Sequence, residues 1–146
     1  MTEIDIAKPP SEVWAVLTDT ASYPAWNPGM RLIGQLEPGQ VIEHDQGEGS
    51  DRAIFHPTVQ TVRPQEELRW TGRIWSPILF AAEHYFLLSA TQTGTHFVQG
   101  ENFRGVALWF FDVRDLLSGF MKMNGALKKR VEALPPPVNN PASGFQ

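Results

Sequence analysis

The sequence predicts a single α+β domain in which a curved antiparallel sheet of six to seven strands wraps around a long C-terminal helix. Apolar residues recur at helical spacing near both ends of the chain, whereas they alternate with polar residues between positions 30 and 103. Turn residues interrupt this middle region at near-regular intervals, as they do in sheets built from consecutive hairpins. Since 146 residues is a usual size for one domain, we expect a single core.

The first 30 residues predict a short strand followed by two short helical elements. The strand is Ile4-Asp5-Ile6, which alternates as a half-buried strand does. A helix over 10–19 follows, because Pro10 suits a first helical turn and the next apolar residues share one helical face. The segment 23–29 contains two prolines and predicts a compact turn or a single helical turn.

The middle of the chain predicts an antiparallel meander, since its strands are separated by short, turn-rich connections. The turns place the strands at 30–35, 40–46, 51–62, 67–75, 79–89 and 95–103.

The C-terminal part predicts a helix from about 112 to 134, which would be ~33 Å long. Its apolar stripe is Leu116, Phe120, Asn124, Leu127, Val131 and Leu134. Three consecutive prolines then end the helix. We therefore expect one domain over 1–134 and a Pro-rich C-terminal tail over 135–146.

Composition excludes several classes of function. The chain has no cysteine, so disulfides and thiolate chemistry are ruled out. Its formal charge of −4 and lack of a concentrated basic face argue against a nucleic-acid partner. The longest apolar run, 106–111, is far too short for stable membrane insertion. No signal-peptide pattern opens the sequence, so we expect a cytoplasmic protein.

Neither a metal nor a cofactor is expected. His44, His56 and His96 fall on different predicted strands, and none has the spacing to other ligands that zinc or iron sites show. Gly47 and Gly49 lie between two strands rather than before a helix, so they predict a hairpin turn and not a phosphate-binding loop.

Several motifs, in their order and spacing, resemble one known group of proteins. They are Pro9-Pro10-Ser11-Glu12-Val13-Trp14, Tyr23-Pro24-Ala25-Trp26-Asn27-Pro28, Leu68-Arg69-Trp70, Glu83-His84-Tyr85-Phe86, Glu101-Asn102-Phe103-Arg104-Gly105 and Asn124-Gly125-Ala126-Leu127. Over residues 1–134 the chain resembles the polyketide cyclase/dehydrase and lipid-transport group of the START and birch-pollen-allergen superfamily. The resemblance implies the helix-grip fold, with an apolar cavity between sheet and helix that binds lipids, polyketides or other hydrophobic molecules. It does not imply a reaction.

The concave face of the sheet is expected to be aromatic with a few polar groups, because alternate positions of three strands carry such residues. Either these rings enclose a ligand or they interlock as an ordinary core. The expected ligand-binding residues are Trp26, Phe55, Trp70, Phe86, Phe97, Gln99, Phe103, Trp109, Phe110, Phe120, Met123 and Asn124.

His84 and Glu101 are the candidate catalytic residues, since both are expected to point inward from adjacent strands. Buried among apolar neighbours, they would have shifted pKa values and could move protons on a polyketide-like substrate. The alternative is a structural pair, or a bond from Glu101 to Arg104 or to a strand end. Whether the protein is an enzyme is left open at this point.

The run 106–111 is apolar on every side, so one buried face cannot accommodate it. It would serve as a lid or as a membrane-touching edge, or it would pack on the Trp26 loop or on a partner in a homodimer. With the Pro-rich tail, it supports a third hypothesis, that of a protein-interaction module.

Overall fold

A computed structural model describes residues 1–47, 52–73, 81–105 and 113–135. Its elements, in chain order, are β1 (Thr2–Ile6), α1 (Pro10–Thr18), a 3-10 turn (Thr20–Ser22), α2 (Tyr23–Trp26), β2 (Met30–Ile33), β3 (Glu43–Gln46), β4 (Ala53–Phe55), β5 (Thr58–Arg63), β6 (Glu67–Arg73), β7 (Ala81–Ala90), β8 (Thr95–Arg104) and α3 (Val113–Glu132).

The strands form two antiparallel sheets. The larger sheet has the order β1-β8-β7-β6-β5, and the smaller has the order β2-β3-β4. Consecutive strands pair as hairpins within each sheet, and β1 joins the far edge of the larger sheet beside β8. The α+β class and the antiparallel meander predicted from the sequence are therefore confirmed, but the described strands divide into sheets of five and three instead of one sheet of six to seven.

The single strand predicted over 51–62 is wrong, because the chain divides into β4 and β5 at His56-Pro57. Pro57 has no N–H to donate to a ladder, and it restricts the backbone of the residue before it. The two strands therefore pair with different neighbours: β4 with β3, and β5 with β6.

The corner between the sheets is closed by backbone hydrogen bonds. The Ile42 N–H donates to the Pro57 carbonyl at 3.0 Å, and the Val59 N–H donates to the Gln40 carbonyl at 2.8 Å. The segment before β3 thus continues the edge of the larger sheet and holds β3 against it.

The long helix α3 anchors its C-terminal end on β1 and the loop that follows it. The Lys128 ammonium donates to the Asp5 carbonyl at 2.6 Å, and the Ala7 N–H donates to the Glu132 carboxylate at 2.8 Å. Gly94 permits a close approach next to this corner, since a Cβ there would collide with the Ile6 carbonyl. These contacts fix how α3 crosses the concave face of the sheet.

The predicted helix over 10–19 and the single helical turn in 23–29 are confirmed as α1 and α2. Tyr23 is buried and donates its hydroxyl to the Leu17 carbonyl at 2.6 Å, which ties the two elements together. Trp26 packs edge-on against Tyr23, with ring centroids 4.9 Å apart.

Among the described residues, no helix is both long enough and apolar enough to cross a membrane. The apolar run 106–111, with the predicted ligand-binding residues Trp109 and Phe110, and the tail beyond Pro135 lie outside the described residues.

Candidate functional site

The concave face of the larger sheet is built from cross-strand rows, because residues that pair across β6, β7 and β8 point to the same side. The rows are Leu88–Phe97, Leu68–Phe86–Gln99, Trp70–His84–Glu101 and Gly72–Ala82–Phe103. These are the faces that the sequence predicted to be concave.

The chemistry of the face changes along these rows. We call one end the closed half, and it contains fully buried apolar side chains: Ile6, Leu68, Phe86, Leu88, Phe97, Leu127 and Val131. We call the other end the polar half, and it contains buried aromatic and polar side chains together: His44, Trp70, His84, Gln99, Glu101, Phe120 and Met123.

His84 is held at the centre of the polar half by rings on three sides. Its imidazole stacks on Trp70, with centroids 4.9 Å apart and planes 5° from parallel. Phe86 and Phe120 meet it edge-on at 4.8 and 5.1 Å. Burial, together with the nearby His44, lowers the pKa of His84 well below its ordinary value, so the ring is neutral.

Gln99 connects His84 to the helix. Its amide nitrogen lies 3.2 Å from His84 Nε2 and 3.3 Å from the thioether sulfur of Met123 on α3. The amide oxygen is buried and has no hydrogen-bond partner among the described residues. A buried polar atom left unpaired costs about 1–3 kcal/mol, so the retention of this group calls for an explanation.

Glu101 lies beside His84 in the same row, with its carboxylate Oε2 4.0 Å from His84 Nδ1. This distance is too long for a direct hydrogen bond. Burial raises the pKa of Glu101 to about 7, although its side chain remains 15% exposed. Among the described residues no bond joins it to Arg104, the partner that the structural alternative proposed. Glu101 is therefore a carboxyl group that changes charge near neutral pH at the edge of the interior.

His44 is a functional candidate that sequence reasoning missed. It lies 7% exposed on β3, with its ring edge-on to Trp70 at 5.8 Å and 6.4 Å from the ring of His84. Its Nε2 is buried without a partner among the described residues, and burial lowers its pKa to about 4. The signal in the sequence is the alternation of Ile42 and His44, which places both side chains on one face of the strand. The sequence pattern was used for His44 only to test for a metal site.

The last row, Gly72–Ala82–Phe103, carries the two smallest residues of the concave face next to Trp70, His84 and Glu101. All three are partly exposed, whereas the rows of the closed half are sealed. A Cβ added at Gly72 would meet Pro57 only at 3.9 Å, an ordinary contact. The side chains of this row, next to the carboxyl group of Glu101, are therefore less buried than those of the closed half.

The structure brings most of the predicted site residues together. Phe55 pairs across from His44 with rings 6.1 Å apart, while Phe120 and Met123 cover His84 and Gln99 from the helix. Phe97 belongs to the closed half instead, where it stacks on Phe86 at 5.7 Å.

Two predicted site residues have local structural partners. The Asn124 amide donates to the Thr2 hydroxyl at 3.0 Å and so links α3 to β1. Trp26 packs on Tyr23, and its indole nitrogen is buried without a partner in the described part of the chain.

Within the described ranges, no group of three or more His, Asp or Glu side chains is arranged to hold a metal ion. The described side chains of the polar half supply a neutral imidazole, an amide and a carboxyl group among aromatic rings.

A curved antiparallel sheet packed on a long C-terminal helix defines the helix-grip class of proteins, and the comparisons with known proteins agree with this fold. A family model described as polyketide cyclase / dehydrase and lipid transport matches residues 1–134. The chain belongs to this family. A search of curated proteins finds no significant match.

Solved structures confirm the helix-grip fold. Protein CV1439 from Chromobacterium violaceum is similar with a TM-score of 0.74 and 15% identity, covering 92% of this chain and 96% of its own. Ara h 8.0201 is similar with a TM-score of 0.69 and 15% identity, covering 89% of this chain and 94% of its own. The Zhui aromatase/cyclase from a Streptomyces species has a TM-score of 0.67 and 15% identity, with coverages of 90% and 91%. At these identities the likeness concerns the fold alone.

Proposed function

We propose that this protein binds a small hydrophobic or amphipathic molecule between the larger sheet and α3. The apolar part of the ligand lies over the Gly72–Ala82–Phe103 row, and its polar group faces Glu101 and His84. The family, which is described by cyclase, dehydrase and lipid-transport activities, supports a ligand of this kind.

The observation that carries the proposal is the contrast in side-chain size and polarity between two adjacent rows of the concave face. Trp70, His84 and Glu101 present an aromatic wall and two polar groups, and the next row recedes to Gly72 and Ala82. Binding sites for small molecules combine apolar walls with a few well-placed polar groups in this way. Next to Glu101 the concave face thus has little side-chain volume on β6 and β7, whereas Phe103 lines it from β8.

Native mass spectrometry of the protein purified from its native host tests the proposal, with denaturing extraction to identify what is released. We expect one hydrophobic molecule per chain. A protein that is empty, and that also fails to bind the neutral naphthalene ketone 2-acetylnaphthalene, would contradict the proposal and leave the aromatic rings as filled core.

A second candidate function, that of a polyketide cyclase, aromatase or dehydratase, is favoured by the opposite pKa shifts of two adjacent groups. Burial raises the pKa of Glu101 to about 7 and lowers the pKa of His84. Ionised Glu101 would remove a proton from a carbon between two carbonyl groups, and His84 Nδ1–H would donate to the enolate oxygen that forms. The Zhui neighbour is itself an aromatase/cyclase.

Glu101→Gln and His84→Gln distinguish the two candidates. If the protein is an enzyme, either substitution lowers turnover of a polyketide-like chain by at least about 100-fold while the chain still binds. Unchanged turnover in both variants would exclude this proton-transfer mechanism.

A third candidate is a protein-interaction module or homodimer formed through 106–111 and the tail. It predicts that Trp109→Ala together with deletion of 135–146 abolishes the association, while the cavity between sheet and helix stays intact. Size-exclusion chromatography coupled to light scattering measures the association. We also propose that the protein is cytoplasmic and that it does not bind nucleic acid. The acidic net charge supports the second of these proposals.

A further inference from the structure

We infer that Gln99 is a positioning residue that holds His84 in its Nδ1–H tautomer, so that the polar half presents a hydrogen-bond donor beside Glu101 and selects ligands with an accepting oxygen. The part of this inference that concerns the ligand rests on the proposed function. The part that concerns the tautomer does not.

The orientation of the Gln99 amide is set by Met123. A thioether sulfur can accept a hydrogen bond but has no hydrogen to give. The end of the amide 3.3 Å from Met123 Sδ is therefore the NH2 group rather than the oxygen. The same nitrogen lies 3.2 Å from His84 Nε2, so its second hydrogen points to the imidazole.

The tautomer of His84 follows from this orientation. Because Gln99 donates, His84 Nε2 must accept and cannot carry a hydrogen. The ring is 2% exposed and packed between Trp70, Phe86 and Phe120, which leaves it neutral with its one hydrogen on Nδ1. That hydrogen lies on the side of the ring that faces Glu101.

The gap between His84 and Glu101 fits a ligand oxygen. The 4.0 Å between Nδ1 and Oε2 is too long for one hydrogen bond. Two hydrogen bonds of about 2.8 Å that meet at a single oxygen span this distance at roughly a right angle. A carbonyl oxygen has two lone pairs, so it accepts one hydrogen bond from His84 Nδ1–H and a second from the protonated carboxyl group of Glu101. The ligand class is therefore a neutral hydrophobic molecule that carries a ketone or similar carbonyl group.

The tautomer is measured directly by two-bond 1H–15N correlation spectra of protein labelled with 15N-histidine, with the signals of His84 assigned from His84→Gln. We expect His84 to be protonated on Nδ1 in the wild type, and the Nε2–H form to become populated in Gln99→Leu. His84 protonated on Nε2 in the wild type would overturn the inference whether or not any ligand binds.

Met123→Leu provides a second variant, because it removes the sulfur acceptor and leaves Gln99 in place. We expect a mixture of the two tautomers of His84. Met121→Leu is the matched control, since Met121 is on the same helix but 66% exposed, and the tautomer should stay as in the wild type. An unchanged tautomer in both Met123→Leu and Gln99→Leu would show that Gln99 does not position the ring.

A matched ligand pair tests the specificity. 2-Acetylnaphthalene and 2-isopropenylnaphthalene have the same shape, but the second carries a CH2 group in place of the carbonyl oxygen. We expect the wild type to bind the ketone about tenfold more tightly, and the ratio to fall towards one in Gln99→Leu. Equal binding of both by the wild type would contradict the inference and leave the proposed function standing, whereas binding of neither would contradict the proposed function.

Discussion

The closed half and the polar half lie on the same strands and the same helix, yet they are built for different purposes. Along β7 the inward side chains run from Leu88 through Phe86 to His84, and along β8 from Phe97 through Gln99 to Glu101. Burial changes little over most of this distance, whereas the chemistry changes completely. The same scaffold thus uses one end of its concave face for stability and keeps polar groups at the other.

The two halves also differ in how completely their buried polar atoms are hydrogen-bonded. The closed half packs apolar side chains against apolar neighbours. In the polar half, His44 Nε2 and Gln99 Oε1 have no hydrogen-bond partner in the part of the chain that the structure describes. A buried polar atom without a partner lowers stability by about 1–3 kcal/mol. Natural proteins keep such groups chiefly where they act on something other than the fold.

The largest effect should come from the closed half. Phe97→Ala removes a fully buried ring that stacks on Phe86, so we expect it to lower the free energy of unfolding by about 3–5 kcal/mol, measured by urea denaturation. Phe103→Ala, in the half-buried row, should lower the free energy of unfolding by less than about 2 kcal/mol, but it should weaken ligand binding. Equal losses of stability in the two variants would erase the distinction between the halves.

Glu101→Gln should change how stability depends on pH. The folded pKa of about 7 lies above the unfolded value near 4.5, so the carboxyl group favours folding fully below about pH 4.5, and this contribution is lost as the pH rises through 7. The free energy of unfolding of Glu101→Gln should therefore rise by about 3 kcal/mol relative to that of the wild type between pH 4 and pH 8. Urea denaturation of both proteins at pH 4 and pH 8 measures this change. If the difference in stability between variant and wild type were the same at both pH values, Glu101 would be solvated.

His44→Phe should change the acid side of the profile in the opposite sense. The folded pKa of about 4 lies below the ordinary value of 6.5, so neutral His44 favours folding above pH 6.5, and this contribution is lost as the pH falls towards 4. When the pH falls from 7 to 4.5, the free energy of unfolding should decrease by roughly 2–3 kcal/mol less in the variant than in the wild type. Urea denaturation of the wild type and the variant at pH 7 and pH 4.5 measures this difference, and equal losses in both proteins would contradict the prediction.

Asn124→Leu should have the smallest effect. Asn124 donates to Thr2, but its own oxygen has no partner within the described ranges, so an apolar side chain of similar shape should change stability by less than about 1 kcal/mol. Ligand affinity, measured by tryptophan fluorescence, should stay as in the wild type. A large loss of affinity would place Asn124 in the binding site, as the sequence first suggested.

The sequence predicted the inward faces well because alternation along a strand is a local property. Trp70, His84, Phe86, Gln99 and Glu101 could all be assigned to the concave side from the period of two alone. The α+β class followed from the same switch between a period near 3.6 and a period of two.

Contacts between distant strands could not be predicted in the same way. His44 reaches Trp70 and His84 only because the chain bends at Pro57 and brings β3 over the larger sheet. That bend was hidden inside one predicted strand. The contact of Gln99 with Met123 depends in turn on the rotation of α3 about its axis, which an apolar stripe defines too coarsely to place single atoms.

The central claim, that the space beyond Glu101 is where the ligand lies, is tested most directly by filling it. Ala82→Phe adds a ring on the concave side, and Ala81→Phe adds the same ring one residue earlier on the opposite face of β7. The account predicts that Ala82→Phe abolishes binding of 2-acetylnaphthalene in a fluorescence titration, while Ala81→Phe binds within about twofold of the wild type. If folded Ala82→Phe binds as tightly as Ala81→Phe, the ligand lies elsewhere and the claim is wrong.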